Sequence, residues 1–152
     1  MRQKAIVGAQ HAAPLRLIRS ARVAHLATAD AHGQPHVIPI CFVFDGKDFY
    51  SPIDEKPKRT AARKLKRLKN IRENPQVALV IDHYEEDWRK LAYILVSGKA
   101  RVLLSGAKHR KAVKLLRSQR PRGADHAYFQ FPCLHAAVAL MGKRAAQGNL
   151  RS

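Results

Sequence analysis

Cysteine is scarce in this sequence, with two residues among 152, Cys41 and Cys133. Both lie among apolar residues, and their separation does not match the ligand spacing of a metal site. Cysteines in such surroundings act as small hydrophobic residues. The sequence therefore excludes a fold held by disulfides and predicts a protein of a reducing compartment, the cytoplasm.

Long hydrophobic runs are also missing. The apolar residues Ala5–Ala9, which follow Arg2 and Lys4, are too few for the core of a secretion signal, and no stretch approaches the length of a membrane span. We therefore expect a soluble protein without a membrane partner.

Acidic residues are few, because 11 aspartates and glutamates stand against 29 lysines and arginines, which gives a formal charge of +18. Four of the acids share one short segment, at Asp82, Glu85, Glu86 and Asp87. This charge favours an anionic partner, which could be nucleic acid, membrane headgroups or a phosphorylated small molecule. Charge alone does not choose among these three.

The residues that are present suffice for one domain over residues 1–152. Hydrophobic residues make up 46% of the chain, enough to build a core. Residues 1–13 and 142–152 carry little pattern and are expected to be mobile ends. Five or six antiparallel strands with interposed helices predict an α+β domain built around a small barrel. Strands are predicted at 22–29, 36–44, 48–53, 76–82 and 91–104, helices after Pro14, from Thr60 and at 107–119, and a strand or a helix at 135–141.

The most informative stretch runs from Pro35 to Arg72. It begins with an apolar strand, His36–Phe44, in which Pro39 cannot donate a ladder hydrogen bond and so indicates a sheet edge or a bulge. It ends with Lys56–Arg72, where nine of the seventeen residues are lysine or arginine and none is acidic. The start of a helix attracts anions through its free N–H groups and its dipole. We therefore predict a phosphate site beside an apolar strand pair.

Five segments in this order resemble a known family. They are RVAHLAT from Arg22, GQPHVIPI from Gly33, KPKRT from Lys56, NPQVAL from Asn74 and DHYEEDW from Asp82. Together they resemble the pyridoxamine 5'-phosphate oxidase-like split-barrel superfamily over roughly residues 15–117. Within it, the resemblance is strongest to the branch of oxidoreductases regarded as dependent on coenzyme F420, a deazaflavin. Residues 124–152 match the family only loosely.

This resemblance implies a six-stranded antiparallel split β-barrel with flanking helices. It also implies a homodimer that holds coenzyme F420 or FMN at its interface for hydride transfer with a small conjugated substrate. The residues placed at the cofactor are Val37, Ile38, Pro39, Ile40 and Cys41 along its ring, Ser51 and Ile53 at its border, Lys56, Lys58, Arg59 and Thr60 at its phosphate, and Trp88 nearby.

No side chain is predicted to be catalytic. The sequence has no nucleophile elbow, no phosphate loop and no zinc-type cluster, which suits a protein whose cofactor carries the reaction. His83 and Tyr84 could donate a proton to a substrate, but such loop residues are more often caps or interface contacts. His25, His32 and His36 lack a consistent ligand spacing and are expected to be structural.

Three alternatives stay open. The protein could be an FMN-binding relative, or a carrier of haem or another cofactor without turnover. Trp88 could pack at the dimer interface instead of near the cofactor. A nucleic-acid-binding module is disfavoured, because Lys56–Arg72 contains no aromatic residue on which bases could stack.

Overall fold

The computed structural model describes residues 12–54, 65–118 and 134–148. The helices of this part are α1 (Ala12–Ser20), α2 (Lys66–Glu73) and α3 (Gly106–Ser118), and a single 3₁₀ turn spans Trp88–Lys90. The strands are β1 (Val23–Ala29), β2 (Pro35–Cys41), β3 (Val43–Phe44), β4 (Asp48–Asp54), β5 (Gln76–His83), β6 (Ala92–Leu103) and β7 (Leu134–Gly148). The predicted α+β class is confirmed.

The seven strands form one antiparallel sheet in the order β2-β1-β5-β6-β7-β4-β3. Its two edge strands, β2 and β3, are consecutive in the chain and are separated only by Phe42. The sheet must therefore curl strongly, since both of its edges belong to one short stretch of chain.

The expected count of six strands is wrong, and the hydrogen-bonded sheet is not a closed barrel. The predicted strand His36–Phe44 is divided at Phe42, where the chain changes its pairing partner from β1 to β4. The Phe42 side chain is buried in the core and contacts Phe49 at a ring-centroid distance of 5.8 Å. The break therefore comes from the change of pairing partner, since Ile38, Ile40 and Phe42 all point into the core.

The main core fills the concave side of the sheet. Its buried apolar residues come from β1, β4, β5, β6 and β7, together with Phe42, Ile18 of α1 and Leu68 and Ile71 of α2, and partly buried residues of β2 and β3 pack against them. A polar contact fixes α2 against β1: the Asn70 amide donates to the Thr28 hydroxyl at 3.1 Å, and that hydroxyl donates to the His36 carbonyl at 3.3 Å. These bonds satisfy polar groups that burial would otherwise destabilise.

Helix α3 packs on the convex side of the sheet, against β4, β6 and β7. Its buried residues Ala112 and Leu116 join a second apolar cluster with Val43, Tyr50 and Leu103. Two ion pairs fix its position, from Lys108 to Asp48 at 2.7 Å and from Lys111 to Asp45 at 2.5 Å. Two of the few acidic residues thus serve to attach this basic helix.

The chain's last strand corrects one expectation. Residues 142–148, expected in a mobile tail, belong to β7 and pair with β6 from Tyr93 to Gly98. Glycine and two cations interrupt the apolar alternation there, so the sequence pattern is weak, but the neighbouring strand supplies the pairing. The pairing of β6 with β7 shifts register between Ser97 and Gly98.

Within the described residues, α1, α2 and α3 are each too short and too polar to cross a membrane. Residues 1–11, 55–64, 119–133 and 149–152, which include Thr60 and most of the expected mobile ends, lie outside the described residues.

The Asp45 carboxylate connects the β3–β4 turn with α3. Burial by itself would raise the pKa of Asp45. The backbone N–H groups of Asp48 and Lys47, the Lys111 ammonium and the Tyr50 hydroxyl together hold that pKa well below its usual range. The folded state is therefore stabilised while Asp45 is charged.

Replacing Asp45 with asparagine should lower the free energy of unfolding at pH 7 by about 2 kcal/mol, because hydrogen bonds to a charged group are weakened. Since the folded state lowers the pKa of Asp45 from 3.8, the carboxylate stabilises the fold fully above that value and loses this effect as pH falls below it. Urea unfolding at pH 7 and pH 3 measures the effect. The difference between wild type and variant should shrink at pH 3, whereas the exposed control Glu86→Gln should stay near wild type at pH 7. An equal difference at both pH values would contradict the account.

Candidate functional site

The convex side of the sheet is only half covered. Helix α3 lies over β4, β6 and β7, whereas outward residues of β1 and β2 remain exposed, including Val37 at 60% and Val23 at 45%. Cross-strand pairing assembles one surface, which we call the open face: Val23, His25, Ala27, Val37, Pro39, Cys41, Ala78, Val80 and Leu95. It is flat and mostly apolar, which suits contact with a planar ring or with another protein surface.

Strand β2 presents only alternate predicted residues to the open face. Val37, Pro39 and Cys41 point outward, whereas Ile38 and Ile40 pack against the main core. Because successive side chains of a strand point to opposite sides, the two isoleucines can support a ligand on the open face only from beneath. Burial raises the pKa of the Cys41 thiol, so this side chain stays protonated and acts as a small apolar contact.

Ser51 and Ile53 of β4 are buried. Ser51 is 6% exposed and Ile53 is 1% exposed, and both side chains point into the interior. The cavity beside Ser51, Phe42 and Leu79 has a volume of about 10 Å³, which is at most the room of a single water molecule. Contact of Ser51 and Ile53 with a cofactor stays a prediction.

The predicted phosphate residues Lys56, Lys58, Arg59 and Thr60 lie outside the described residues, between the end of β4 and the start of α2. The first turn of α2 adds a further cation, Arg67. Arg67 is half-buried, and desolvation lowers its pKa.

Among the described residues no carboxylate pairs with Arg67. A cation removed from water without a partner is costly. The N-cap residue of this helix is Leu65, whose side chain makes no capping hydrogen bond. Arg67 and the uncapped N–H groups of this turn together form an arrangement that an anion would complete.

The first turn of α2 lies near the turn between β1 and β2, and the helix packs on the side of the sheet that carries the main core. The backbone N–H groups of Gln34 and His32 hold the pKa of Asp30 below its usual range, and the charge of Lys66 contributes. Asp30 belongs to the turn between β1 and β2, so the cationic start of α2 is close to that turn.

The opposite end of the open face carries the acidic loop. The Nδ1 atom of His25 is 3.5 Å from a carboxylate oxygen of Asp82 at the end of β5. Beyond Asp82 lies Trp88, in a turn capped by the Asp87 carboxylate and 67% exposed. Trp88 is thus available to a ligand or to a partner chain.

His25 is expected from the sequence to be structural. In the structure it stands between buried Ala24 and Leu26 in a strand that alternates, so its side chain points away from the core. What the sequence could not provide was the register that places His25 beside Pro39 and near Asp82.

The chemistry available on the open face is limited. In the described part of the chain, no three potential metal ligands come together. The face offers apolar contact, one histidine–carboxylate pair and a cationic end. Such a surface binds and orients a planar, anionic molecule, and these features fit a flavin-type ring with a phosphate.

Comparison with known families gives the class of this fold. Residues 11–139 match the pyridoxamine 5'-phosphate oxidase family. The match covers most of the chain, and the protein belongs to that family.

Solved structures share the fold at low sequence identity. A conserved hypothetical protein of Mycobacterium tuberculosis has a TM-score of 0.70 and 18% identity, with 99% of this chain and 91% of that chain covered. An FAD-binding protein of Mesorhizobium loti has a TM-score of 0.64 and 19% identity, with 93% and 94% covered. HutZ, the heme storage protein of Vibrio cholerae, has a TM-score of 0.63 and 14% identity, with 90% and 91% covered. A search of curated sequences found no match.

Replacing Arg67 with methionine should leave the melting temperature equal to or above that of the wild type, because the variant removes a desolvated charge that has no described partner. It should also weaken the stabilisation that inorganic phosphate gives to the wild type. Thermal unfolding with and without phosphate measures both effects. Arg72→Met, at an exposed position of the same helix, should keep the response to phosphate. A large loss of stability in Arg67→Met would contradict an unpaired role for Arg67.

Proposed function

We propose that this protein is an oxidoreductase that holds a flavin-type cofactor, coenzyme F420 or FMN, on the open face. The observation that carries the proposal is the combination of an uncovered apolar face with a cationic end. Val37, Pro39 and Cys41 line the face, and Arg67 begins the helix near one end of it. The FAD-binding neighbour supports the same class of ligand.

Each part of the site has a separate task. The bound cofactor supplies hydride transfer to or from a small conjugated molecule. The apolar residues of β1 and β2 hold the ring flat and keep water from one side of it. The cations at α2, with Lys56, Lys58, Arg59 and Thr60 before it, bind the phosphate. Charge-assisted bonds contribute about 1.5 to 3 kcal/mol each, so a few of these cations suffice.

The surplus of cations favours the deazaflavin over FMN. Lys56–Arg72 holds nine cations, and one phosphate does not require so many. Coenzyme F420 carries a polyanionic glutamate tail, which the remaining cations could neutralise. We therefore propose that the protein belongs to the F420-dependent branch of the split-barrel superfamily. We also propose that it acts in the cytoplasm.

The proposal includes a homodimer. A ring on the open face of one chain would be exposed to water on its outer side. A second copy that packs against this face would cover the ring and the exposed side chains Val23 and Val37. Burial of such apolar area favours association. The proposed split barrel and its interface would then enclose two equivalent sites.

Titration with F420 and with FMN tests the cofactor. We expect tighter binding of F420, and its affinity should fall at least tenfold when salt rises from 50 to 500 mM, because several ion pairs are screened. The Lys56→Ala, Lys58→Ala, Arg59→Ala triple variant should lose most of the affinity for either cofactor. Tighter binding of FMN would move the protein to the flavin branch, and binding of neither would refute the proposed function.

Replacing Val37 with lysine should convert the dimer into a monomer and weaken cofactor binding, because a charge is placed within the proposed interface. Leu104 provides the control, since it is also largely exposed, at 66%, but lies outside the open face. Leu104→Lys should remain a dimer. Sedimentation or light scattering of both variants measures the mass. If Val37→Lys stays dimeric with unchanged mass, the interface lies elsewhere.

A haem carrier is the second candidate. It is favoured by the fold shared with a heme storage protein and by the position of His25 on the open face, since imidazole is a common axial ligand of haem iron. A Soret band in the purified protein, or after addition of haemin, would support this candidate, and a flavin or deazaflavin spectrum would support the first. The described part of α2 carries no aromatic side chain for base stacking, so nucleic acid is disfavoured.

A further inference from the structure

We propose that His25, oriented by Asp82, donates a hydrogen bond to the polar edge of the ring bound on the open face. This inference rests on the proposed function, because it assigns a contact within that site. The inference adds that His25 of β1 and Asp82 of β5 position the ring, at the end of the open face opposite the proposed phosphate site.

The position of His25 relative to β2 is the first argument. His25 is the cross-strand neighbour of Pro39 on one side and of Val80 on the other. All three side chains point to the open face, so a ring that lies on Pro39 also lies beside the imidazole. Pro39 has no N–H to offer, so this part of β2 cannot supply a backbone donor. The His25 side chain is the nearest polar group on β1.

The partner of His25 is the second argument. The Asp82 carboxylate is 3.5 Å from Nδ1, and both side chains are about half exposed, at 49% each. A carboxylate near Nδ1 accepts the proton of that nitrogen and holds the plane of the ring, and in a protonated imidazole Nε2 also carries a proton that it can donate. The Nε2 atom, on the far side of the imidazole, is then directed away from Asp82 and can face a ligand.

The spacing along the face is the third argument. Asp30, near the cationic start of α2, and His25 are five residues apart, or about 16 Å at the rise of an extended strand. A cofactor whose phosphate is held at one end can therefore place its ring near the other end. A positive or donating group beside the ring stabilises its reduced, anionic form more than its oxidised form.

The experiment uses the full chain loaded with F420 or FMN, whichever binds, at the same pH for every variant. The variants are His25→Gln and His25→Lys, and His109→Gln on α3 is the control. Cofactor affinity is measured by fluorescence, and the midpoint potential of the bound cofactor by spectroelectrochemistry. The ring-proton signals of the histidines are followed by NMR during the titration.

In His25→Gln we expect the preference for the reduced over the oxidised cofactor to fall about tenfold, which lowers the midpoint potential by about 30 mV for a two-electron couple. His25→Lys, which keeps a cation, should stay at or above the wild-type potential. His109→Gln should match the wild type. The His25 signals should shift on binding, while those of His109 should not.

The experiment distinguishes failure of this inference from failure of the proposed function. If wild type and His25→Gln bind the cofactor with the same affinity and potential, or the His25 signals do not respond, then this inference is wrong and the proposed function stands. If the wild type binds neither cofactor, the proposed function fails, and the role of His25 fails with it.

Discussion

The structure depends on one constraint, which is that both edges of the sheet come from the same ten residues of chain. Strands β2 and β3 are separated only by Phe42, yet one pairs with β1 and the other with β4. The sheet must curl to meet this requirement. Its concave side closes into a core, in which the cavity beside Ser51 and Phe42 measures only about 10 Å³.

Curvature alone would leave the whole convex side exposed. Helix α3 covers the part formed by β4, β6 and β7, and the ion pairs of Asp45 and Asp48 hold the helix there. The remainder, on β1, β2 and β5, is the open face. The two basic helices differ in their acidic partners. Two acidic residues form ion pairs with α3, whereas half-buried Arg67 of α2 has no acidic partner among the described residues. The fold thus leaves apolar surface uncovered on β1 and β2, and a half-buried cation in the first turn of α2.

Much of this could be predicted from the sequence, because local patterns decide it. The predicted strands at 22–29 and 48–53 and the predicted helix at 107–119 match β1, β4 and α3 within a residue or two. The break at Phe42 was missed because the apolar run continues through it, and only tertiary pairing separates β2 from β3. The last strand was predicted to be too short, because residues 142–148 depend on β6 for their structure.

The site could be predicted only in part, for the same reason. Val37 and Pro39 do lie on an exposed face, but no local pattern could reveal that register places His25 beside Pro39.

The central claim is that the open face of β1 and β2 binds a flavin-type ring whose phosphate is held near the start of α2. Amide hydrogen exchange, measured by mass spectrometry with and without saturating F420 and FMN, tests it most directly. The account predicts slower exchange in β1, β2 and the first turn of α2, with no change in α3. Protection confined to α3, or no protection with either cofactor, would contradict the claim.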